Sequence, residues 1–370
     1  MEISSINMIS FRNHEKTNMS FRPGITIIWG ENGSGKTSIL EAIHSLSFGS
    51  SFRTSNKKEL IKEGANNFLL EGVFKNKKGI ESTVFFSHDT KGNKKIKINK
   101  KEIKKRKDLI GLNNVVVFSP EEESITKSGP VNRRRFFDKV FSIVSKNYLD
   151  VLIEYNSILQ QRNATLKRSF KKNINEEVEI WNEHFAEKAE NLWKRRKKLF
   201  VEFSIVFRET VKNLDFGLKS NIFYDQKKTK REEVLVVLKK TLDLERTLGF
   251  TTHGPHRDEF LFDWGGRAIR KHGSQGEHKM FLALLKTTEL LFISKKTNKN
   301  PVFLIDDIFA NLDIDRSKRL LRFVEGLRLR EESKPQTIIT TTDVLEVQRE
   351  GFFSKYNEIN KQRLRINEAH

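Results

Sequence analysis

The chain has 370 residues, of which 69 are Lys or Arg and 48 are Asp or Glu, so its net charge is +21. This length allows two or three domains with a sizeable core. The positive charge indicates a polyanionic partner, nucleic acid before an anionic membrane, although base composition that enriches Lys also raises the charge. Because there is no cysteine, disulfides, cysteine-ligated zinc and thiol catalysis are excluded.

The hydropathy pattern contains no targeting or membrane signal. The N-terminus lacks a basic segment followed by an apolar one, so no secretory signal peptide is predicted. No apolar run approaches the roughly 20 residues that span a bilayer. We therefore expect a soluble, cytoplasmic protein that has no membrane partner.

The N-terminal third predicts strands. Residues 2–9 and 23–29 predict two strands joined across Phe11–His14. Three further runs alternate between apolar and polar residues and are separated by turn residues, which predicts an antiparallel meander. These runs are Phe68–Phe74, Ile80–Phe86 and Lys94–Ile98.

A phosphate-binding pattern lies between a predicted strand and a predicted helix. Residues 30–37 match G-x-x-x-x-G-K-[ST], directly after an apolar run that ends at Trp29. Glycines let backbone N–H groups turn onto phosphate oxygens, and the helix N-terminus adds partial positive charge. We expect Lys36 to reach the β- and γ-phosphates of ATP and Thr37 to ligate Mg²⁺. The predicted ATP contacts are Gly30, Glu31, Asn32, Gly33, Ser34, Gly35, Lys36, Thr37 and Ser38.

A strongly basic stretch follows the meander. Residues 94–107 include nine Lys or Arg residues. Such a stretch is typical of an edge that contacts phosphates. It is equally typical of a solvated hairpin edge whose lysines block strand addition.

The middle of the chain changes to helical periodicity. After a short buried strand, Val115–Phe118, residues 132–213 carry apolar side chains at three- and four-residue spacing, which predicts two or three helices. Short strands are predicted again near residues 218–223 and 257–263. We expect an α/β ATPase unit, with a mixed sheet, that is split by an all-helical subdomain. The predicted segments are 1–119, 120–250 and 251–370.

The C-terminal part supplies the second half of the nucleotide site. Helices and strands alternate there, with helices predicted at 275–293, at 314–329 and from Asp343, and strands at 301–305 and 336–339. The strand at 301–305 ends in two carboxylates. Asp306 is positioned to coordinate magnesium and Asp307 to orient or deprotonate the attacking water. Because Lys36 and Asp306 are far apart in the chain, the site must form from two distant segments.

Two further features lie beside this second half. Ser274, Gln275 and Gly276 form a turn that opens a helix, and such a turn exposes N–H groups to an anion. A plain helix start has the same pattern, but the P-loop leaves no phosphate of its own for this turn to bind. We expect the turn to contact the γ-phosphate held by another subunit. Asp313 is either a helix N-cap or an aspartate that crosses a dimer interface.

Four motifs then indicate a family. The chain resembles, over nearly its full length, the RecF family of bacterial recombination mediators, which are ATPases of the ABC/SMC-like class. The motifs are Phe11–His14, the pair Phe118–Glu121 and Ser128–Asp138, Thr252–Asp258, and the signature turn Gly273–Gly276.

The resemblance implies an ATP-driven homodimer in which Ser274 of one chain completes the site of the other. It also implies binding to DNA at junctions of single- and double-stranded regions, slow ATP hydrolysis, and cooperation with RecR and RecO in loading RecA. By the same likeness, Arg12 and Asn13 are candidate nucleotide contacts. Two residues depart from the usual family pattern, Glu277 in place of Gln and Glu122 in place of Asp. A third, Asp307, differs from the wider class, which often has Glu there, but the resemblance implies that RecF-like chains generally share this aspartate.

Two other functions remain alternatives: a transporter ATPase subunit and an SMC-like DNA-processing complex, the latter including nucleases. The chain lacks the glutamine and the histidine that transporters place after their first and last core strands, and a nuclease needs an added acidic metal cluster. Three basic segments are candidate DNA contacts. They are Arg133, Arg134 and Arg135, then Lys194–Lys198, then Lys94–Lys107.

Overall fold

The computed structural model describes residues 1–168, 174–214, 219–225, 229–307, 326–329, 333–342 and 360–363. The chain divides into two compact units. The first comprises Met1–Glu123 and Ser274–His370, and the second comprises Ser124–Gly273. The predicted boundary near residue 250 differs from this division, because the strand that follows it pairs with a strand at 220–225 of the second unit. Among the described residues, no helix is both long and apolar enough to cross a lipid bilayer.

The N-terminal part of the first unit is mostly β-structure. Its elements are β1 Glu2–Phe11, β2 His14–Ser20, β3 Ile25–Trp29, α1 Lys36–Phe48, β4 Asn67–Lys75, β5 Glu81–Asp89, β6 Lys94–Ile98, β7 Lys101–Glu102 and β8 Val115–Phe118. An antiparallel sheet has the order β2-β1-β4-β5-β6-β7, which confirms the predicted meander. The predicted direct join between β1 and β3 is wrong. The intervening segment forms β2, a polar edge strand that pairs with β1 through a tight turn at Arg12, whose φ is +54°.

The second unit contains the predicted helices. Its elements are α2 Ser124–Lys127, α3 Pro130–Val144, α4 Lys146–Lys167, α5 Ile174–Leu214, β9 Ser220–Asp225, α6 Arg231–Lys240, α7 Leu242–Leu248, β10 Glu259–Trp264, β11 Arg267–Ala268 and α8 Ile269–His272. The sequence did not predict α6 and α7. Its core is aromatic, with the rings of Phe137 and Phe260 stacked at 4.1 Å.

The C-terminal segment completes the first unit. Its described elements are α9 Gln275–Thr297, β12 Val302–Asp306, β13 Thr337–Thr341 and β14 Asn360–Arg363. Together with the N-terminal strands they form a parallel sheet of order β14-β3-β13-β12-β8. Strands β8, β12 and β13 are fully buried and β3 is buried along its middle, as expected for parallel strands covered on both faces. The predicted helices at 314–329 and from Asp343 lie largely outside the described residues.

Candidate nucleotide site

The P-loop joins β3 to α1 through backbone that only glycine adopts readily. Gly35, the N-cap of α1, has φ +93°, and a Cβ atom there would lie 2.4 Å from Nε2 of His14. Gly33 also has a positive φ, +83°, but an added Cβ would meet nothing within 4 Å. The loop therefore needs glycine at residue 35 both for its conformation and for the close approach of β2.

The side chains of the P-loop turn toward their own backbone. Nζ of Lys36 donates to the carbonyl oxygens of Gly30 and Glu31, each at 2.7 Å. Oγ of Ser34 is buried and has no hydrogen-bond partner among the described residues. A lysine ammonium held only by backbone carbonyls and an unsatisfied hydroxyl, within one glycine-rich loop, fit a phosphate ligand, which would give the hydroxyl of Ser34 a partner.

The strand order brings the two halves of the site together. Because β13 lies between β3 and β12, the P-loop and the carboxylates meet at the C-terminal edge of one parallel sheet. Oγ1 of Thr37 donates to Oδ1 of Asp306 at 2.9 Å, and Oγ1 of Thr340 donates to the same oxygen at 2.6 Å. Burial raises the pKa of Asp306, and these two hydrogen bonds act against that rise.

Asp307 has the conformation expected at a functional position. Its φ is +40°, in the left-handed region that costs a non-glycine residue about 1 kcal/mol or more. Its N–H is directed at the carbonyl oxygen and the hydroxyl of Thr340, both at 3.2 Å. Burial lowers the pKa of Lys36, whereas the charges of Asp307 and Asp306 raise it. The ammonium and both carboxylates thus share one electrostatic environment.

A cavity of about 620 Å³ opens over these groups. Its size is within the range of small-molecule sites. The described residues that line it include Asn13, Asn32, Lys36, Thr37, Asp306 and Asp307, and they do not include Ser274, Gln275 or Gly276. The predicted cis part of the site therefore comes together, and the signature turn lies apart from it.

The donor set fits ATP with Mg²⁺. The P-loop N–H groups and Lys36 would hold phosphate oxygens, and the hydroxyl of Thr37 with the carboxylate of Asp306 offers the hard oxygen ligands that magnesium prefers. When bound, the metal supplies charge neutralisation between phosphate oxygens.

Arg12 and Asn13 both border the cavity but are already engaged. Arg12 makes two hydrogen bonds to the carboxylate of Glu41, at 2.7 and 2.8 Å. Nδ2 of Asn13 donates to the carbonyl oxygen of Gly33 at 2.8 Å. Both side chains thus position the P-loop and α1, and both line the cavity.

Three residues at the site were not found from the sequence. Glu41 is fully buried in α1 and forms ion pairs with Arg12 at 2.7 Å and with Arg53 at 3.8 Å. Arg53 also lines the cavity and pairs with Glu121 at 3.2 Å. Thr340 supports Asp306 from the neighbouring strand. The only sequence signal was a carboxylate within the apolar run of α1.

The signature turn begins α9 in a capping box. Ser274 is exposed, and its Oγ accepts from the N–H of Glu277 at 3.3 Å, while the Glu277 carboxylate accepts from the N–H of Ser274 at 2.7 Å. Glutamate at this position therefore has a defined local role. Ser274 and Gln275 are exposed at the start of α9. The predicted interface residue Asp313 lies outside the described residues.

The three arginines at 133–135 differ in how far the fold of the second unit exposes them. Arg133 is 3% exposed, donates to the carbonyl oxygen of Ser128 at 2.9 Å and pairs with Glu259 at 3.3 Å. Arg134 donates to the carbonyl oxygen of Asp258 at 2.6 Å. Arg135 is exposed. Only Arg135 is therefore readily available for a phosphate contact.

The second basic candidate, Lys194–Lys198, likewise contains a buried arginine that is already paired. Arg196 is 1% exposed and pairs with Asp258 at 2.7 Å and with Asp138 at 3.0 Å. Asp258 also accepts from Nε1 of Trp193 at 2.9 Å. The Thr252–Asp258 motif thus ends in a buried polar hub that holds the start of β10 against α5.

Known proteins match the chain along most of its length. The family model for the RecF/RecN/SMC N terminal domain matches residues 2–362. The DNA replication and repair protein RecF of Prosthecochloris aestuarii is 33% identical over 354 residues, covering 93% of this chain and 94% of that protein. The chain belongs to the RecF family. The RecF of Ruminiclostridium cellulolyticum is 35% identical over 355 residues, and the match covers 93% of this chain and 93% of that protein.

Solved structures agree with this RecF-family assignment. The recombination mediator protein RecF-ATPrS of the RecFOR pathway matches with a TM-score of 0.83 and 31% identity, covering 93% of each chain. An SMC head domain from Pyrococcus furiosus matches with a TM-score of 0.58 and 18% identity, covering 98% of this chain and 94% of that one, and shows the shared fold. The RecF-family chain therefore has the ABC/SMC-type ATPase fold.

Proposed function

We propose that this RecF-family chain is an ATP-dependent DNA-binding switch of DNA replication and recombinational repair. ATP closes two copies face to face on DNA at junctions of single and double strands, and slow, DNA-stimulated hydrolysis reopens them. RecR and RecO are its partners, and the assembly helps to load RecA at gaps. Support comes from solved relatives described as RecF-ATP in the RecFOR pathway.

One observation carries the homodimer. Lys36, Thr37 and Asp306 form one half of an ATP site, whereas Ser274 is exposed and is not among the described residues that line the cavity. A helix start with an exposed serine is suited to bind the γ-phosphate of a nucleotide held by another copy. In this arrangement Asp313 lies at the interface between the copies.

The catalytic roles follow from the same geometry. Lys36 neutralises charge on the transferred phosphate, and Asp307 orients or deprotonates the attacking water. Thr37 and Asp306 hold the magnesium ion. Aspartate is shorter than the glutamate common in the wider class, which is consistent with slow hydrolysis. ATP binding is thereby coupled to DNA binding by a few kcal/mol.

The substitution Lys36→Arg tests this proposal. The longer, planar guanidinium does not reproduce the point charge of the ammonium. We expect the variant to remain folded but to lose ATP-dependent dimerisation and ATP-dependent retention of a gapped DNA duplex. Light scattering and filter retention with and without ATP measure both. The control is Lys16→Arg, the same change at an exposed lysine of β2. Unchanged ATP-dependent DNA retention in the Lys36→Arg variant would contradict the proposal.

A further inference from the structure

A cluster of cations lies in the first unit, against the antiparallel sheet, and none of its members is among the described residues that line the P-loop cavity. We name it the β5–β6 cation cluster, and it consists of Lys57, Lys58, His88, Lys94 and Arg106. The short helix that contains both lysines, Lys57–Leu60, packs against β5. His88 of β5 and Lys94 of β6 are direct cross-strand partners. Four separate chain segments thus bring their positive groups to one place.

Arg106 is held in the cluster by the end of α1. Its Nε donates to the carbonyl oxygen of Phe48 at 2.6 Å, and one terminal nitrogen donates to Oγ of Ser50 at 2.7 Å. These bonds leave part of the guanidinium uncommitted. Because both acceptors are neutral, the charge of Arg106 is not compensated there.

The cations of the cluster form no ion pair with a carboxylate among the described residues. Among the described residues, no carboxylate lies within ion-pair distance of Lys57, Lys94 or Arg106. The nearby Asp89 is engaged, because Nδ2 and N–H of Asn93 each donate to its carboxylate at 2.8 Å. Grouping like charges without acids costs folding free energy, and an anionic ligand would recover it.

The pKa directions agree with this crowding. Burial first, and then the charge of Arg106, lowers the pKa of Lys57. For Lys94, burial first and then Lys57 and Arg106 lower the pKa. Burial also lowers the pKa of His88, and among the charges Lys57, Lys94 and Lys58 lower it further while Asp89 raises it.

His88 provides an independent observation. Its side chain is 7% exposed, and Nδ1 is buried without a hydrogen-bond partner among the described residues. The imidazole is stacked on Phe68, with 6.3 Å between the ring centroids, so packing fixes its position. Buried ring nitrogens are normally satisfied. In the tautomer that carries the proton on Nδ1, an acceptor such as a phosphate oxygen beside these cations would satisfy this nitrogen.

We propose that the β5–β6 cation cluster binds the backbone phosphates of a nucleic acid, as a second phosphate site distinct from the P-loop. The inference rests on the proposed DNA-binding function and locates part of its interface. The cluster continues into the basic residues of the Lys94–Lys107 segment along the sheet edge. A line of cations matches the repeated phosphates of a strand, whereas a single small anion would need only the cluster itself.

Edge protection alone does not account for this arrangement. Lysines that block strand addition point into solvent and remain apart. Here Lys57 comes from outside the sheet edge, and Arg106 is fixed to the end of α1. His88 lies on β5, an inner strand of the sheet. The cluster is therefore assembled from beyond the edge strands.

The test is the salt dependence of DNA affinity in the double variant Lys57→Gln/Lys94→Gln. The probe is a fluorescent gapped duplex with saturating ATP. Each lost phosphate contact reduces the slope of log affinity against log salt by about one, so we expect a reduction of about two. The matched control, Lys239→Gln/Lys240→Gln, removes two exposed charges at the end of α6, outside both the cluster and the Lys94–Lys107 segment. We expect less than half of that reduction in the control.

Several outcomes separate the hypotheses. Equal reductions in both double variants, or none in either, would overturn the site. Wild-type protein that fails to retain DNA with ATP would instead reject the proposed function. Nucleotide affinity should be unchanged in both variants, because neither alters a P-loop residue. Inorganic tripolyphosphate serves as a second probe. If it binds tightly and only the Lys57→Gln/Lys94→Gln variant loses that binding, the cluster is a site for a small polyanion. This result would contradict the nucleic-acid assignment.

His88→Gln gives a second measurement. Glutamine keeps a polar side chain but removes the stacked imidazole. We expect weaker DNA binding with little change in the salt slope, because a neutral hydrogen bond rather than a charge is lost. Unaltered affinity in this variant would argue against a phosphate oxygen at Nδ1.

Discussion

At the scale of single residues, the nucleotide site depends on contacts between β2 and the P-loop. Nε2 of His14 lies 3.1 Å from the carbonyl oxygen of Gly35, and Oγ of Ser38 donates to Oδ1 of Asn13 at 3.3 Å. The absence of a side chain at Gly35 makes this approach feasible. The hairpin that carries Arg12 and Asn13 is thereby fixed to the start of α1.

We predict that Gly35→Ala disables ATP binding far more than Gly33→Ala. Both positions have positive φ, which costs alanine about 1–2 kcal/mol. Only the Cβ at residue 35 also collides with His14, at 2.4 Å. Titration with a fluorescent ATP analogue should show at least a tenfold loss for Gly35→Ala and a small loss for Gly33→Ala. Similar affinities for the two variants would contradict the close-approach argument.

Some site residues could be predicted from the sequence because their pattern is local. Lys36 and Thr37 have fixed spacing within one loop, and Asp306 ends an apolar strand. Glu41 and Thr340 could not be predicted in the same way. Each acts through a partner distant in the sequence, Arg12 for Glu41 and Asp306 for Thr340. Neither the type of these residues nor their spacing in the sequence indicates such a contact.

At the scale of elements, the second unit is held together by buried polar groups as well as by aromatic rings. Arg162 pairs with Glu245 at 2.6 Å, and both side chains are fully buried. His256 is bonded on both ring nitrogens, to the hydroxyl of Tyr155 at 2.5 Å and to the carbonyl oxygen of Thr251 at 3.0 Å. This pattern suits the neutral imidazole, in which Nε2–H donates and Nδ1 accepts.

We predict that this histidine makes the second unit less stable at mildly acidic pH. Burial is the main cause that lowers its pKa to about 4, whereas the unfolded value is about 6.5. Between these values the unfolded chain binds a proton that the folded one excludes. Stability should therefore fall as the pH decreases, by about 2 kcal/mol from pH 7.5 to pH 5.

Urea unfolding of wild type and His256→Gln, followed by tryptophan fluorescence, measures this contribution. In His256→Gln, the free energy of unfolding should fall less between pH 7.5 and pH 5, because the contribution of His256 is lost. The control His272→Gln, at an exposed histidine, should show the same pH dependence as the wild type. Parallel pH profiles for wild type and His256→Gln would rule out a buried neutral imidazole.

Charged residues at buried positions explain where sequence-based interpretation failed in the second unit. Arg133 and Arg196 have the sequence context of solvated basic helices, so they were grouped with candidate DNA contacts. Both are almost fully buried, because Glu259 and Asp258 approach from β10 and its preceding turn. Helical periodicity predicted α3, α4 and α5, but it does not identify which charges have buried partners.

At the scale of the whole molecule, three features of the proposed function lie in one unit of the chain. The first unit holds the candidate nucleotide cavity, the exposed signature turn and the β5–β6 cation cluster. The excess of basic residues, +21 overall, suits a polyanion that a closed dimer would hold. ATP would thus control DNA retention by controlling whether two copies close.

The central claim is that each ATP site is incomplete until a second copy supplies Ser274. It is tested by mixing two variants, Lys36→Ala and Ser274→Arg. Alone, each variant has every site impaired, since one lacks the phosphate-binding lysine and the other blocks the signature turn. In a mixed dimer, the P-loop of the Ser274 variant faces the intact turn of the Lys36 variant, which restores one complete site.

The measurement is the ATP-dependent association of the two variants, each carrying a different fluorescent label. Energy transfer between the labels reports the association. Our account predicts no ATP-dependent signal from either variant alone and a clear signal from the mixture. A mixture that gives no more signal than the separate variants, with both shown to be folded, would contradict completion of the site in trans.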